Sequence, residues 1–399
     1  GTLDIPASLR ARIITKRDMF YLLTFAVSLL LMCLSGYCRG ALKLLLLAVS
    51  LLLPCLVAGF RDISIGTDTS AYAIWTFESA SRNGLRPFLE SYASLSAAGF
   101  NLFSWVIANW SCSFGIYLGA IELAFLLPVF IAIRHYFPNR EWPGMAVVYL
   151  LMFTGSMNLM KQSIAIGFVF LSSVFADEKR PIPFLLCIAM GILFHQTAVI
   201  GLLVYPLFLT VARPLQLNGA SKWRSLILVT IALIAISLVF VFGKRLIATF
   251  SFLKDSYQYQ VGHVGEGGLQ VSYLVLAVLL FVSWWTCRPF DVDGQNSVSS
   301  VGYLSREHAR YDSFFALSLL GCALMQLDVV SLSLGRFGYY LVPFVGLFLA
   351  KLYVEGNRMS RMVSVLLLIC LVVFFVRAFI ILGGNQVYPY ITSGGVVLP

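Results

Sequence analysis

Long apolar runs separated by short polar turns organise this chain from end to end. Met19–Tyr37 and Ala41–Phe60 are two helix-length runs joined at Cys38-Arg39-Gly40. Ile116–Arg134, Ser225–Phe242, Val271–Cys287, Asp312–Leu327, Phe337–Tyr353 and Met362–Leu382 repeat the pattern, with Pro143–Met157 and Lys161–Ala176 somewhat shorter. A helix needs about 20 mostly apolar residues to cross a bilayer. These runs do not alternate, which excludes the roughly 10-residue strands of a membrane barrel. The expected fold is all-α and polytopic, a single membrane domain over residues 1–399 with about 11–13 transmembrane or re-entrant helices.

Two runs depart from the pattern. Ala97–Trp110 is short for a full crossing and reads as re-entrant or interfacial. Pro181–Val211 holds 31 residues with His195 in its middle, which predicts a broken helix or a tight hairpin pair. Between runs lie a basic segment at 1–18 and polar loops at 61–96, 243–270 and 288–310, of which 61–96 and 243–270 read as external. The first run has no small-residue cleavage site and another run follows it at once, so no cleavable signal is expected. Lys and Arg bias puts Asp177–Arg180, Arg213–Arg224, Arg288–Arg310 and Lys351–Arg361 in the cytoplasm. Lys161, His195, the loop with Tyr257, Arg336 and the C-terminal tail then share the outer face. The stretch 61–72 goes outside if Ala97–Trp110 is re-entrant and inside if that run crosses, and charge bias alone leaves both open.

Composition narrows the class. The chain is 59% hydrophobic and only 12% charged, with a net charge of +10. In a soluble protein that charge would point to nucleic acid. Here the basic residues flank apolar runs, where orientation and lipid headgroups account for them, and no nucleic-acid partner is expected. The eight cysteines lie mostly within runs and form no CxxC pair, and with four histidines neither a zinc nor a haem set is available. No metal or cofactor is expected.

An ionisable side chain inside a span costs roughly 2.5–3.5 kcal/mol on insertion scales, so each one needs a reason. Arg61-Asp62-Ile63-Ser64-Ile65-Gly66-Thr67-Asp68-Thr69-Ser70-Ala71-Tyr72 packs charge and hydroxyls against the end of the second run. Arg61 can grip a phosphate bidentately, or it can snorkel to headgroups. Asp68 can take a proton from a hydroxyl, and Gly66 allows the tight turn between them. Lys161-Gln162 opens a helix, as an anion site or as a simple anchor. His195-Gln196 offers acid–base chemistry or a hydrogen-bonded structural histidine. Arg336 is a second cation flanked by Tyr339 and Tyr340, or the partner of Asp328 in a structural pair. Glu122 stands alone in its run. Tyr72, Tyr257, Tyr259, Tyr388 and Tyr390 fall in outer loops, where they could stack on sugar rings.

Taken in order, these elements resemble a known family. Arg61, Gly66-Thr67-Asp68 and Tyr72 form an Arg-x4-Gly-Thr-Asp-x3-Tyr pattern. Lys161-Gln162-Ser163-Ile164-Ala165 is similar to an Arg-Gln-x2-Ala motif. Phe194-His195-Gln196-Thr197-Ala198, then Arg336 with Tyr340, then Pro389-Tyr390 complete the series. The set resembles the EpsG family of bacterial exopolysaccharide and O-antigen polymerases, the Wzy-like group. Lys161 departs from it, because a point charge replaces a bidentate fork.

The resemblance implies a glycosyltransferase-C-like enzyme of the bacterial inner membrane, with its site facing the periplasm. It would use two undecaprenyl-diphosphate-linked oligosaccharides, with a chain-length regulator as a further candidate partner besides the bilayer. A growing glycan would leave its lipid diphosphate for a hydroxyl of the incoming repeat unit. Arg61, Lys161 and Arg336 would meet the diphosphate, and Asp68 and His195 are the candidate bases. Thr67, Tyr72, Gln162, Gln196, Tyr340, Tyr388 and Tyr390 would support the glycan or the polar site. The resemblance also tips the stretch 61–72 to the outside and makes Ala97–Trp110 re-entrant. A flippase would more commonly show two related halves, and no internal repeat is visible. A membrane O-acyltransferase would need a catalytic histidine deep in the bilayer, which His195 could supply.

Overall fold

The computed structural model describes residues 20–92, 98–211, 268–287 and 298–398. The basic segment 1–18, the run Ser225–Phe242 and most of the loop 243–270, with Tyr257 and Tyr259, lie outside the described residues, as do 288–297.

Within them the chain is helical, with isolated bridges at Arg61–Thr392 and Ile391–Val397 in place of strands. The helices are α1 (Phe20–Ser35), α2 (Gly40–Gly59), α3 (Ile74–Arg82), α4 (Leu85–Ser91), α5 (Ala98–Trp110), α6 (Phe114–Tyr136), α7 (Trp142–Ser156), α8 (Met160–Asp177), α9 (Pro181–Phe194) and α10 (Val204–Val211). After the undescribed stretch come α11 (Val271–Thr286), α12 (Val298–Leu324), the short α13 (Leu332–Gly335), α14 (Phe344–Glu355) and α15 (Arg358–Phe375). Four helical stretches are long and apolar enough to cross a membrane: Gly40–Gly59, Phe114–Tyr136, Glu307–Val329 and Arg358–Ile381. Several shorter apolar helices join them, which makes this a polytopic membrane protein.

Helix α7 is the centre, with every residue from Pro143 to Ser156 buried. Its neighbours α1, α6, α8, α14 and α15 leave no lipid-facing side. The outer helices instead expose leucine, isoleucine and valine, as at Leu23, Leu44, Ile182, Val278 and Leu366. That division is what hydrocarbon solvent requires: apolar residues face outward at no cost, and small residues let backbones approach inside. A Cβ on Gly59 would come within 2.7 Å of the Gly115 carbonyl, and one on Gly115 within 2.8 Å of the Gly59 carbonyl. Glycine at both positions lets the end of α2 touch the start of α6.

The chain thus leaves α2 and enters α6 at the same end of the bundle, and α3, α4 and α5 between them return it to the end from which it started. Helix α5 has 13 residues, a rise of about 20 Å, and its Phe100 and Gly99 pack inward against the bundle. A helix of this length between two helix ends that meet fits the re-entrant alternative for Ala97–Trp110. Segment 61–96, expected as a loop, is largely helical where described, because Glu78–Arg82 and Arg86–Glu90 pair one turn apart along exposed faces.

Pro181–Val211 is a hairpin. Helix α9 stops at His195, whose backbone is extended, and a 3-10 stretch Gln196–Leu203 leads back into α10. Phe184 and Tyr205 meet across it with ring centres 5.0 Å apart. Two charged regions expected in loops are helical instead. Residues 298–310 belong to α12, and Lys351 is buried in α14, where it pairs with Glu307 and, at 2.5 Å, with Glu355. Charges compensated across helices need no aqueous loop.

Candidate active site

The site forms where the stretch after α2, the N-terminus of α8, the α9–α10 turn and the segment before α14 meet. The backbone of Asp62 donates to Ile391 O at 2.8 Å, and Ser393 N donates to Phe60 O at 2.8 Å, so the tail closes one side of the loop. Gly66 turns the loop with φ +81°, and a Cβ there would sit 2.9 Å from Met157 O. Only glycine meets both demands. Asn158 then gathers three segments. Its Oδ1 accepts from Thr67 N (2.6 Å) and Thr67 Oγ1 (3.2 Å), while its Nδ2 donates to Asn385 O at 2.7 Å.

Arg61 occupies a different place from the one expected. Its guanidinium is 3% exposed and turned inward. Nε and Nη2 donate to Thr69 Oγ1 at 3.3 and 3.2 Å, Nη1 to Ala58 O at 3.1 Å, and Nη2 to Met157 O at 3.4 Å. It neither snorkels to the surface nor presents a free fork. Among the charged groups around it, Glu122 acts most strongly. Glu122 is itself buried in α6, with Ser156 Oγ donating to Oε2 at 2.7 Å and Oε1 without a hydrogen bond.

Beyond Thr67 the loop becomes a π-helical turn, Thr69–Ala73, with Asp68 as its leading residue. Across that turn the Tyr72 hydroxyl favours the ionised form of the Asp68 carboxylate. The same hydroxyl faces the backbone N–H of Lys161 at the start of α8, one of the donors a helix leaves free there. Lys161 Nζ lies over the Tyr72 ring, 4.5 Å from its centre, and 5.2 Å from that of Phe100. Gln162 Nε2 donates to Arg336 O at 2.8 Å and so fixes the backbone that carries the second cation.

Arg336 is exposed and forms no ion pair among the described residues. Asp328 is held by Gln270 Nε2 at 2.5 Å rather than by Arg336. Across from it, His195 Nδ1 lies 2.6 Å from Thr197 Oγ1 and 3.3 Å from the Tyr340 hydroxyl, which is 2.9 Å from Thr197 Oγ1. Gln196 points to the exposed side of the turn.

Electrostatics separates the two candidate bases. Burial pushes the Asp68 carboxyl above its ordinary range, against the lowering pull of the Tyr72 hydroxyl, Arg336, Lys161 and Arg61. Burial also pushes His195 down, with Arg336 and Lys161 adding to the shift, to about 4. The carboxylate becomes a better proton acceptor than in water, while the imidazole stays neutral and becomes a poorer one.

Asp68, Tyr72, Lys161, His195, Arg336 and Tyr340 therefore share one region. Arg61, Thr67 and Gln162 stand behind it as supports. Tyr390 corrects the expectation of a sugar-stacking residue. It is 2% exposed, donates to Val57 O at 2.7 Å and packs on Phe20 and Tyr21. Tyr388 is half-buried beside it in the tail. Asn158, Thr69, Thr197 and Asn385 carry the architecture without having been singled out for it. Thr197 lay inside the His195 motif, and Asn158 stood three residues before Lys161. For Asn385 the sequence held no signal.

Residues 44–392 match the family model described as the EpsG family. No curated protein and no solved structure matches the chain.

Proposed function

The chain belongs to the EpsG family, a Wzy-like polymerase family, and from that premise we propose that it extends a glycan held on a lipid diphosphate. The donor is a growing chain on undecaprenyl diphosphate, and the acceptor is a hydroxyl of an incoming lipid-linked repeat unit. The observation that carries this is the pair Lys161 and Arg336. Both lack an ion-pair partner among the described residues, and both lie within the electrostatic reach of a half-buried carboxylate. Two cations with no ion pair, set around one carboxylate, are free to meet an anion whose charge develops there.

The acceptor oxygen attacks the anomeric carbon while the bond from that carbon to the diphosphate oxygen breaks. The diphosphate leaves with the electron pair, and Lys161 and Arg336 stabilise its developing charge. Asp68 takes the acceptor proton, since its shifted acidity suits a base. His195, neutral and held by Thr197 and Tyr340, orients a sugar hydroxyl. Arg61 serves indirectly, by tying the loop through Thr69 and Met157 so that Asp68 stays aimed at the cations.

Charge bias supports an outward-facing site. Arg39, Lys43, Arg134, Arg140, Lys179, Arg180, Arg310, Arg358 and Arg361 gather at the opposite end of the bundle, joined there by contacts such as Lys43 with Asn139, Arg140 with Val354 O and Arg310 with Asp177. The positive-inside rule favours a cytoplasmic position for that end, which supports a site at the periplasmic face of a bacterial inner membrane.

The test is purified protein with lipid-linked repeat units and no nucleotide sugar. Glycan ladders that lengthen with time are the expected result. Movement of the lipid across the bilayer without elongation would overturn the proposal in favour of a flippase.

A further inference from the structure

A groove of about 220 Å³ lies between α11 and α15. Val275, Leu276 and Leu279 line one wall, and Leu371, Val373 and Phe374 the other. It opens toward the lipid-facing side, for Val275 is 53% and Val373 62% exposed. From Val271 to Leu279 the groove follows α11 for about 12 Å.

Its two ends differ. The end at Leu279 and Cys370 is apolar. The other end holds Ser272, Tyr273 and Arg377. Arg377 sits on the π-helical turn Val376–Ile381 that ends α15, and it is exposed, with no ion pair among the described residues. This is the end of the bundle that carries the site. Gln270, one residue before α11, holds Asp328. The Tyr273 hydroxyl lies in the field of Tyr339, and Tyr339 in that of Asp328 and Arg336. The groove is thus a hydrocarbon slot with a cationic rim at the end of the bundle that also carries Arg336.

A slot of this kind is complementary to an amphiphile with a long hydrocarbon chain and an anionic head. We propose that it holds the isoprenoid chain of one lipid-diphosphate substrate, with its diphosphate at Arg377 on the way to Arg336. The identity of that lipid rests on the polymerase reading. A bulk phospholipid would complement the same walls, but a cationic rim at the end of the bundle that carries Arg336 and Asp68 favours a lipid whose head reacts.

The experiment measures binding of undecaprenyl diphosphate to the full chain in nanodiscs, with retained phosphatidylglycerol counted in parallel. Val275→Trp and Val373→Trp fill the slot from separate helices, and Arg377→Ala removes the rim charge. Leu366→Trp places the same bulk on the lipid face of α15, outside the groove, and controls for folding. Each groove variant is expected to weaken undecaprenyl diphosphate by roughly tenfold, the equivalent of one modest contact set, while L366W binds as wild type. Unchanged binding in V275W and V373W, or loss of phosphatidylglycerol alone, would overturn the inference. Polymerisation is read separately. Wild-type protein that binds through the groove yet makes no polymer would sink the polymerase reading and leave the groove standing. Normal polymerisation and binding in all three groove variants would do the reverse.

Discussion

The two ends of α8 carry charge in opposite ways. At its start, Lys161 faces aromatic rings and no carboxylate lies within ion-pair distance, and Arg336 nearby is equally unpaired among the described residues. At its finish, Asp177 holds Arg310 at 2.7 Å, Arg310 holds Glu307 at 2.6 Å, and Glu307 and Glu355 both hold the buried Lys351. Helices α8, α12 and α14 are tied together there. The two ends are about 24 Å apart along one helix. Paired charges hold helices in place, whereas unpaired ones keep a binding capacity in reserve. Net charge does not distinguish the two cases, because both clusters contain basic and acidic residues.

The sharpest way to break this contrast is to remove charge at each end and see which property falls. Asp68→Asn and Arg336→Ala are expected to lower polymer formation by about 10²–10⁴-fold, the scale of a lost base or a lost anion contact, with protein level and melting unchanged. Near-normal glycan ladders from both variants would end the site assignment. Lys351→Met should do the opposite. It removes the cation that Glu307 and Glu355 share and leaves Glu307 only Arg310, at a cost of up to about 3 kcal/mol, read as a lower Tm in detergent. An unchanged Tm would show that this network is not structural.

Acidity offers a milder probe. Asp68 must be ionised to accept a proton, and its folded value is raised by burial. Activity should therefore be full above that value and fall as pH drops through it, at a higher pH than a solvent-exposed aspartate would give. An acid limb at the ordinary aspartate value would point to another base. The smallest effect belongs to Tyr390→Phe, which removes only the hydrogen bond to Val57 O and should cost about 1 kcal/mol of stability. A loss of activity larger than its shift in Tm would return Tyr390 to the site.

Much of the helical frame was legible because bilayer thickness imposes run length. The first two runs and Ile116–Arg134 match α1, α2 and α6 to within about two residues, the usual scatter of helix ends. Residues 298–310 were not legible, because a charged helix whose charges pair with other helices looks like a loop in one dimension. The cations and carboxylate of the site stood out by their cost in an apolar chain. Their supports did not. Arg61 turns inward onto the carbonyls of Ala58 and Met157, and a backbone carbonyl leaves no mark in sequence. The tail's pairing with residues 60–66 was hidden for the same reason.

That pairing bears on biogenesis. Ile391 and Ser393 meet Asp62 and Phe60 across more than three hundred intervening residues, and Gln386 O accepts from Gly66 N at 3.2 Å. The loop that carries Asp68 leaves the ribosome early, yet the strand of chain that braces it is made much later. Until that late segment docks, the nascent protein can sit in the membrane with its helices inserted while the Asp68 loop still lacks its brace. The order of synthesis therefore predicts that insertion precedes acquisition of activity. A tag or truncation that disturbs residues 385–393 should yield a membrane-integrated chain that is catalytically silent.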